Sequence, residues 1–161
     1  MKANQFVSTL LLLVSAAVFQ QCGQQTETDR KDADEIRARA EAGDADSQYR
    51  VGLRYYNGEG VAKDFTQAVK WFRKAAERGF VKAQGYLGRC YLRGEGVTQD
   101  FPEAVKWSRK AADEGDSTGQ NSLGICYALG QGVAKDEVEA VKWYRKAAEQ
   151  NDARAQSNLG V

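Results

Sequence analysis

Apolar positions recur along most of the chain with the spacing of an α-helix, and the whole pattern returns every 36 residues. In the first helix of each unit, residues i, i+3, i+4 and i+7 share one face and keep similar residue types. The first such set is Gln48, Val51, Gly52 and Tyr55. The spacing predicts a helix from about Asp44 to Tyr56 whose striped face packs against neighbouring helices.

A second helix is predicted in each unit after a glycine-rich turn. Glycine tolerates the left-handed conformation that ends helices, so Gly58 and Gly60 are expected to stop the first helix. Asp64 can cap the next helix, and Gln67 three residues later predicts a reciprocal capping box. The buried stripe of that helix is expected at Ala68, Trp71, Ala75 and Ala76, with Lys70, Arg73 and Lys74 in water. The same signals return later as Asp100 with Glu103, Asp136 with Glu139, and stops at Gly79, Gly115 and Asn151.

Shifting the chain by 36 residues superposes its landmark residues on one another. The superposed sets are Gln48, Gln84, Gln120 and Gln156; Gly52, Gly88, Gly124 and Gly160; Tyr55, Tyr91 and Tyr127; and Trp71, Trp107 and Trp143. Self-similarity at a fixed period of this length is the signature of a solenoid. We therefore expect an all-α solenoid of antiparallel helix pairs. Repeat 1 is assigned to 43–78, repeat 2 to 79–114 and repeat 3 to 115–150, with a partial repeat at 151–161.

Three sequence strings recur in these repeats and carry a family resemblance. They are Ala-x-Ala-Gln or a variant, Leu-Gly-x-x-Tyr-x-x-Gly-x-Gly-Val-x-x-Asp, and Ala-x-x-Trp-Tyr/Phe-Arg-Lys-Ala-Ala. Residues 43–161 thus resemble the Sel-1-like repeat, a relative of the tetratricopeptide repeat. The resemblance implies a right-handed superhelix of antiparallel helix pairs and a function as an adaptor or scaffold for other proteins.

The two ends of the repeat array differ in polarity. Residues 29–42 align with a second helix, but Glu35 replaces tryptophan and Arg39 replaces alanine, which predicts a polar N-terminal capping helix. The partial repeat reaches only Leu159 and Gly160 of the motif, and we expect apolar surface to stay exposed at this edge. Either the sequence is a fragment or a partner completes its last helix.

The first 21 residues have the pattern of a signal peptide. Met1 and Lys2 precede an apolar run from Phe6 to Phe19, which is too short for a transmembrane helix. Residues 22–28 are polar and are expected to form a disordered tether. The chain is therefore predicted to be exported to the cell envelope, where it is periplasmic or lipid-anchored.

Cys22 resembles the lipid-modified cysteine of bacterial lipoproteins because it follows the apolar run directly. The match departs from the lipoprotein pattern at Gln21, where a small residue is usual, and at Phe19, where leucine is usual. Cleavage after Ala17 is the alternative, since Ser15 and Ala17 form a small pair. Lipidation of Cys22 and ordinary cleavage both stay open at this point.

Charge and composition narrow the classes of function. The sequence has 23 Lys and Arg against 22 Asp and Glu, interspersed along the chain, which gives no basis for binding nucleic acid or anionic membrane. It has no histidine, which excludes histidine zinc sites and Ser-His-Asp triads. The paired carboxylates at the starts of second helices are explained by capping. We expect a non-enzymatic protein with no catalytic residue, metal or cofactor.

Cys90 and Cys126 occupy equivalent positions in neighbouring repeats. Stacked helices hold such positions about 8–10 Å apart, beyond the reach of a disulfide, so two small, semi-buried residues without a disulfide are expected. Cysteine-rich members of the resembled family carry two cysteines in each repeat, and some have been described as penicillin-binding or weakly β-lactam-hydrolysing. This chain lacks that pattern and the Ser-x-x-Lys motif. A β-lactam-binding, β-lactamase-like or peptidoglycan-related activity nevertheless remains the alternative function.

A partner is expected on the first helix, opposite the packed stripe, at positions whose residue types change from repeat to repeat. Repeat scaffolds hold their framework fixed and vary the face that touches a ligand. Arginine and tyrosine are common interface hot spots. The candidate partner-binding residues are Arg50, Leu53, Asn57, Tyr86, Arg89 and Arg93. The partner would be a protein or peptide, while an indifferent surface is the competing interpretation, as is a shallow basic ridge at Lys70, Arg73 and Lys74.

Overall fold

The protein is represented by a computed structural model that describes residues 30–160, and within that range it contains eight helices and no strand. The chain divides between Ala38 and Arg39 into two compact units. Helix α1 spans residues 30–41. The other helices are α2 (Ala45–Asn57), α3 (Phe65–Glu77), α4 (Val81–Arg93), α5 (Phe101–Asp113), α6 (Ser117–Leu129), α7 (Glu137–Glu149) and α8 (Ala153–Leu159).

Helix packing confirms the predicted all-α solenoid. Each repeat is one helix pair, α2 with α3, α4 with α5 and α6 with α7, and the second helix of each pair packs on the first helix of the next. Helix α4 also packs directly on α6. The first helices of successive repeats therefore stand side by side and form one continuous surface, which we call the first-helix face.

The helix ends follow the turn signals in the sequence, with one correction. Gly58 ends α2 in the left-handed conformation at φ 80°, and the Asp64 carboxylate caps α3 by accepting from the Gln67 amide at 3.0 Å. The reciprocal half of the capping box was predicted wrongly. The Asp64 amide instead donates to the Tyr55 carbonyl at 2.9 Å, which closes the glycine turn and leaves no donor for the Gln67 side chain.

The largest fully buried side chain lies next to the tryptophan position that was predicted to be buried in α3. Phe72 is completely buried, whereas Trp71 is only half-buried and stacks with Lys74, whose Nζ lies 4.2 Å from the ring centroid. The expectation that Trp71 carries the core of α3 is therefore wrong. Phe72 takes that place because its ring fills the space left by Gly52, where an added Cβ would stand 2.6 Å from ring carbons.

One buried hydrogen bond recurs between every first helix and the helix before it. A glutamine Nε2 donates to the alanine carbonyl eight residues earlier, in the last turn of the preceding helix. The pairs are Gln48 with Ala40 (3.1 Å), Gln84 with Ala76 (3.2 Å), Gln120 with Ala112 (3.5 Å) and Gln156 with Ala148 (3.5 Å). This framework bond explains why glutamine is kept at a buried position of each repeat.

Cys90 and Cys126 are free, as the repeat spacing predicted, and they are more deeply buried than expected. Burial raises the pKa of Cys90 to about 12 and the pKa of Cys126 to about 11. Thiols held in the protonated form are poor nucleophiles. Both side chains therefore act as small packing groups between helices.

Candidate partner-binding face

Repeat 1 contributes exposed polar side chains to the first-helix face. Arg50 is exposed, and its Nε lies 3.4 Å from Asp46 Oδ2. Asn57 is exposed at the end of α2 and donates to Glu59 Oε1 at 2.7 Å. Leu53, between them, is half-buried against the core. The predicted residues of this repeat thus place one polar side chain on each side of an apolar one.

Repeat 2 places an arginine inside the face, between tyrosine rings. Arg89 is only 9% exposed, and its guanidinium carbon lies 4.7 Å from the Tyr56 ring centroid and 4.4 Å from that of Tyr86. The sequence had placed Arg89 among exposed positions, and that expectation is wrong. The rings come from α2 and from α4 itself, so they cover the guanidinium from two sides and stabilise its charge.

Tyr56 and Glu95 extend this cluster toward the end of α4. Tyr56 Oη donates to Glu95 Oε2 at 2.5 Å, and burial together with this bond raises the pKa of Tyr56 to about 12. Arg93 is half-exposed, with its Nη1 3.8 Å from Glu95 Oε1. Arg89 therefore stiffens the face from within, whereas Arg93 presents its charge to solvent.

A cleft of about 360 Å³ opens next to this cluster, where α4, α6 and α8 meet. Its lining includes Arg93, which the sequence predicted, and Asn121 and Asn158, which it did not. One signal could have identified Asn158, since it is the repeat equivalent of Arg50 and Tyr86. The cleft therefore adds polar side chains to the first-helix face beyond those predicted.

Two acidic helix caps near the cleft are held in different charge environments. Burial raises the pKa of Asp116, although backbone amides of α6 partly oppose it. Burial also acts on Asp152, but hydrogen bonds from Arg154 and from backbone amides outweigh it and lower the pKa of that carboxyl. Arg154 Nη2 donates to Asp152 Oδ2 at 2.8 Å. Asp152 is therefore a fixed anion whose charge is already paired.

Residues 30–160 offer neither a metal site nor a membrane-spanning helix. In this range no three histidine, cysteine, aspartate or glutamate side chains are placed to hold a metal ion. Nor does it include a helix of the length and apolarity needed to cross a membrane. Asp64, Asp100 and Asp136 all act as helix caps. The predicted signal peptide, the tether and Cys22 lie outside the described residues.

Comparison with protein families identifies the repeat. The model of the Sel1 repeat matches residues 45–80, 81–116 and 117–152, so each match begins where α2, α4 or α6 begins. The chain belongs to the Sel1 repeat family. The matched segments start two residues after the boundaries expected from the sequence, because those boundaries placed the turn before the first helix inside the repeat.

Solved Sel1 repeat structures share this fold. A Sel1 repeat protein from Oxalobacter formigenes superposes with a TM-score of 0.65 at 38% identity, over 81% of this chain and 98% of that one. A protective antigen present in uropathogenic Escherichia coli strains, described as displaying an SLR fold, superposes with a TM-score of 0.69 at 44% identity. That match covers 80% of this chain and 27% of the antigen.

A curated relative is similar over a shorter stretch. The secretory immunoglobulin A-binding protein EsiB of Escherichia coli O6:H1 (strain CFT073) is 45% identical over 42 residues. This stretch is 26% of the present chain and 9% of EsiB. The chain therefore corresponds to a small part of that relative's length.

Proposed function

We propose that this Sel1 repeat chain is an exported protein-binding scaffold and that its first-helix face contacts a protein or peptide partner. The observation that carries the proposal is the contrast between a constant framework and a changing face. The glutamine bonds and the aspartate caps of the second helices recur in each repeat, whereas equivalent positions of the face differ. Those positions are Arg50, Tyr86 and Ser122; Leu53, Arg89 and Ile125; and Asn57, Arg93 and Leu129.

The chemistry of the face also favours binding over catalysis. It presents arginine and tyrosine side chains next to apolar ones, the composition that dominates interface hot spots. Its aromatic and guanidinium groups are rigid, because Arg89 and Tyr86 hold each other in place. A preformed face loses little conformational entropy when a partner docks. EsiB is a relative that is named for binding a protein, secretory immunoglobulin A, which supports this class of function.

Charge reversal on the face tests the proposal. Arg50→Glu with Arg93→Glu should abolish photo-crosslinking between the protein and its envelope partner, because both positions are exposed on the proposed face. Lys70→Glu with Arg145→Glu is the matched control, since it changes the net charge equally on exposed parts of the second helices. Equal crosslinking yields from the two double variants would rule out this face as the binding surface.

Export and anchoring are separate parts of the proposal. We propose that residues 1–21 direct export and that Cys22 is the lipidated residue, on the basis of the apolar run and the cysteine that follows it. The protein should then be found in the membrane fraction, and Cys22→Ala should release it or block its processing. A mature parent protein that begins at Val18 and stays soluble would show ordinary cleavage after Ala17.

A further inference from the structure

The cleft between α4, α6 and α8 has an unusual set of side chains for a surface of this protein. Two arginines, two asparagines and a serine line it together with two apolar residues, and its lining contains no carboxylate. The residues on which the inference rests are Arg93, Asn121, Ile125, Arg154 and Asn158. They are brought together from three different helices, so the set exists only in the folded protein.

The two asparagines leave one donor and one acceptor unused. Asn158 Nδ2 donates to Asn121 Oδ1 at 3.0 Å. Among the described residues, Asn121 Nδ2 donates to no acceptor and Asn158 Oδ1 accepts from no donor. Asn121 is only 2% exposed and belongs to the lining of the cleft. A peptide group offers the matching acceptor and donor, since it carries one carbonyl and one N–H.

The two arginines differ in how far their charge is already paired. The Arg154 guanidinium is held by Asp152 through Nε and Nη2. The Arg93 side chain makes no hydrogen bond within residues 30–160. Its Nη1 lies 3.8 Å from Oε1 of Glu95, a carboxylate that already accepts a hydrogen bond from Tyr56. A guanidinium with free donors matches a carboxylate in geometry and in charge. Arg93 is therefore the group in the cleft that can bind an anionic side chain.

We infer that this cleft binds an acidic side chain carried by an extended segment of the partner. Asn121 and Asn158 hold the backbone of the segment, Arg93 holds its carboxylate, and Ile125 contacts the aliphatic part of the side chain. The segment is extended because the peptide groups of a helix or an inner strand are already hydrogen-bonded. The inference rests on the proposed function and adds the chemistry of the partner to it.

Two capped peptides test the inference directly. ¹⁵N-labelled protein is titrated with acetyl-Ala-Ala-Glu-Ala-Ala-amide and with its glutamine counterpart. The side-chain amide signals of Asn121 and Asn158 and the Nε signal of Arg93 are followed by NMR. Because hydrogen bonds to charged groups are about twice as strong as neutral ones, the glutamate peptide should bind roughly five-fold more tightly.

Variants separate the two parts of the cleft. Arg93→Ala should remove the preference for glutamate, because it weakens the glutamate peptide more than the glutamine peptide. Asn158→Ala, at an exposed position, should weaken both peptides by roughly three-fold, since one neutral hydrogen bond is lost. Arg145→Ala, at an exposed position of α7 outside the cleft, is the control and should change neither affinity.

Equal binding of the two peptides, or titrations that leave the Asn121 and Asn158 signals unmoved, would overturn the inference. The failure is distinguishable from failure of the proposed function. If Arg50→Glu with Arg93→Glu still abolishes crosslinking of the partner while the peptides show no preference, the first-helix face stands and only the assigned chemistry of the cleft is lost.

Discussion

Repeats 1 and 2 meet through aromatic rings, whereas repeats 2 and 3 meet through glycine, serine and cysteine. At the first junction Tyr49, Phe72, Phe80 and Tyr86 form a layer of rings whose centroids are 5.1 to 5.9 Å apart. At the second junction α4 packs directly on α6, and the side chains between the helices are small. The same backbone framework therefore accommodates two different kinds of packing.

The glycines show what the difference means physically. A Cβ added to Gly52 would stand 2.6 Å from the Phe72 ring, which is a side chain that can be replaced. A Cβ added to Gly88 would meet the Ser108 hydroxyl oxygen and stand 2.8 Å from the Ser108 backbone nitrogen, and no substitution removes the nitrogen. A side chain therefore limits the approach of α2 and α3 within repeat 1, whereas the backbone of α5 also limits the approach of α4 within repeat 2.

The largest contrast is expected where the two junctions differ most in volume. Phe72→Ala should lower the free energy of unfolding by about 3–5 kcal/mol, since it empties the centre of the ring layer. Ser108→Ala, the equivalent substitution in repeat 2, should change it by less than about 1 kcal/mol or raise it, because the buried Ser108 hydroxyl has no hydrogen-bond partner. Urea denaturation of both variants gives the comparison, and similar losses would show that the junctions are packed alike.

A double-mutant cycle at the glycines sharpens the contrast. Gly52→Ala and Gly88→Ala should each cost about 1–3 kcal/mol through overpacking. Phe72→Leu should recover part of the first loss, with a coupling free energy of about 1 kcal/mol, because it withdraws the obstructing ring. Ser108→Gly should recover a smaller share of the second loss, since it removes the hydroxyl but leaves the backbone nitrogen in place. Rescue of both glycine variants to the same extent would contradict a backbone contact at Gly88.

One contact should be insensitive to the kind of junction, because it belongs to the common framework. Arg73 Nη2 donates to Tyr91 Oη and Arg109 Nη2 donates to Tyr127 Oη, both at 2.7 Å. Tyr91→Phe and Tyr127→Phe should each lower the free energy of unfolding by about 0.5–1.5 kcal/mol. Thermal unfolding of the two variants should give losses within about 0.5 kcal/mol of each other, and a larger difference would mean that the framework itself varies along the array.

The smallest effect is expected at two equivalent helix caps, where substitution of aspartate by asparagine should change the stability in opposite directions. The Ser47 amide lowers the pKa of Asp44 below its ordinary value of 3.8, so ionised Asp44 adds stability that is lost as the pH falls through the folded pKa. Burial raises the pKa of Asp116, so its contribution is fully present below 3.8 and is lost as the pH rises through the folded pKa. Asparagine caps helices equally well. At neutral pH, Asp44→Asn should therefore be less stable than the parent and Asp116→Asn more stable.

Unfolding measured at neutral and at acidic pH checks this expectation. The difference in stability between each asparagine variant and the parent should disappear at acidic pH, because protonated aspartate and asparagine are both uncharged. Differences of the same sign at neutral pH would show that the two caps share one environment.

The parts of the structure that could be predicted from the sequence are those that repeat. Gly58 and Asp64 end and begin helices through bonds to their own neighbours, so local pattern was sufficient to place them. Phe72 was missed because its equivalents are Ser108 and Tyr144, and a residue that does not repeat gives no periodic signal. Its importance depends on Gly52, in another helix.

The candidate site was less predictable than the fold for the same physical reason. The position of Arg89 along α4 indicated exposure, and its burial results from Tyr56, which is contributed by α2. Asn121 and Asn158 form their pair across two repeats, so neither has a neighbour in sequence that reveals it. Local pattern predicts which face a residue lies on, but not which distant side chain covers it.

The glutamine bond has a consequence for how such an array can change in length. Since each glutamine reaches a carbonyl eight residues back, excision of 79–114 would present Gln120 with the Ala76 carbonyl, which is an identical partner. The joint would thus be restored by any whole-repeat deletion or duplication. The neighbours would not match, because Ser122 would then stand where α3 now meets Tyr86. The glutamine hydrogen bond therefore permits recombination between repeats, whereas the side chains that recombination would bring together restrict it.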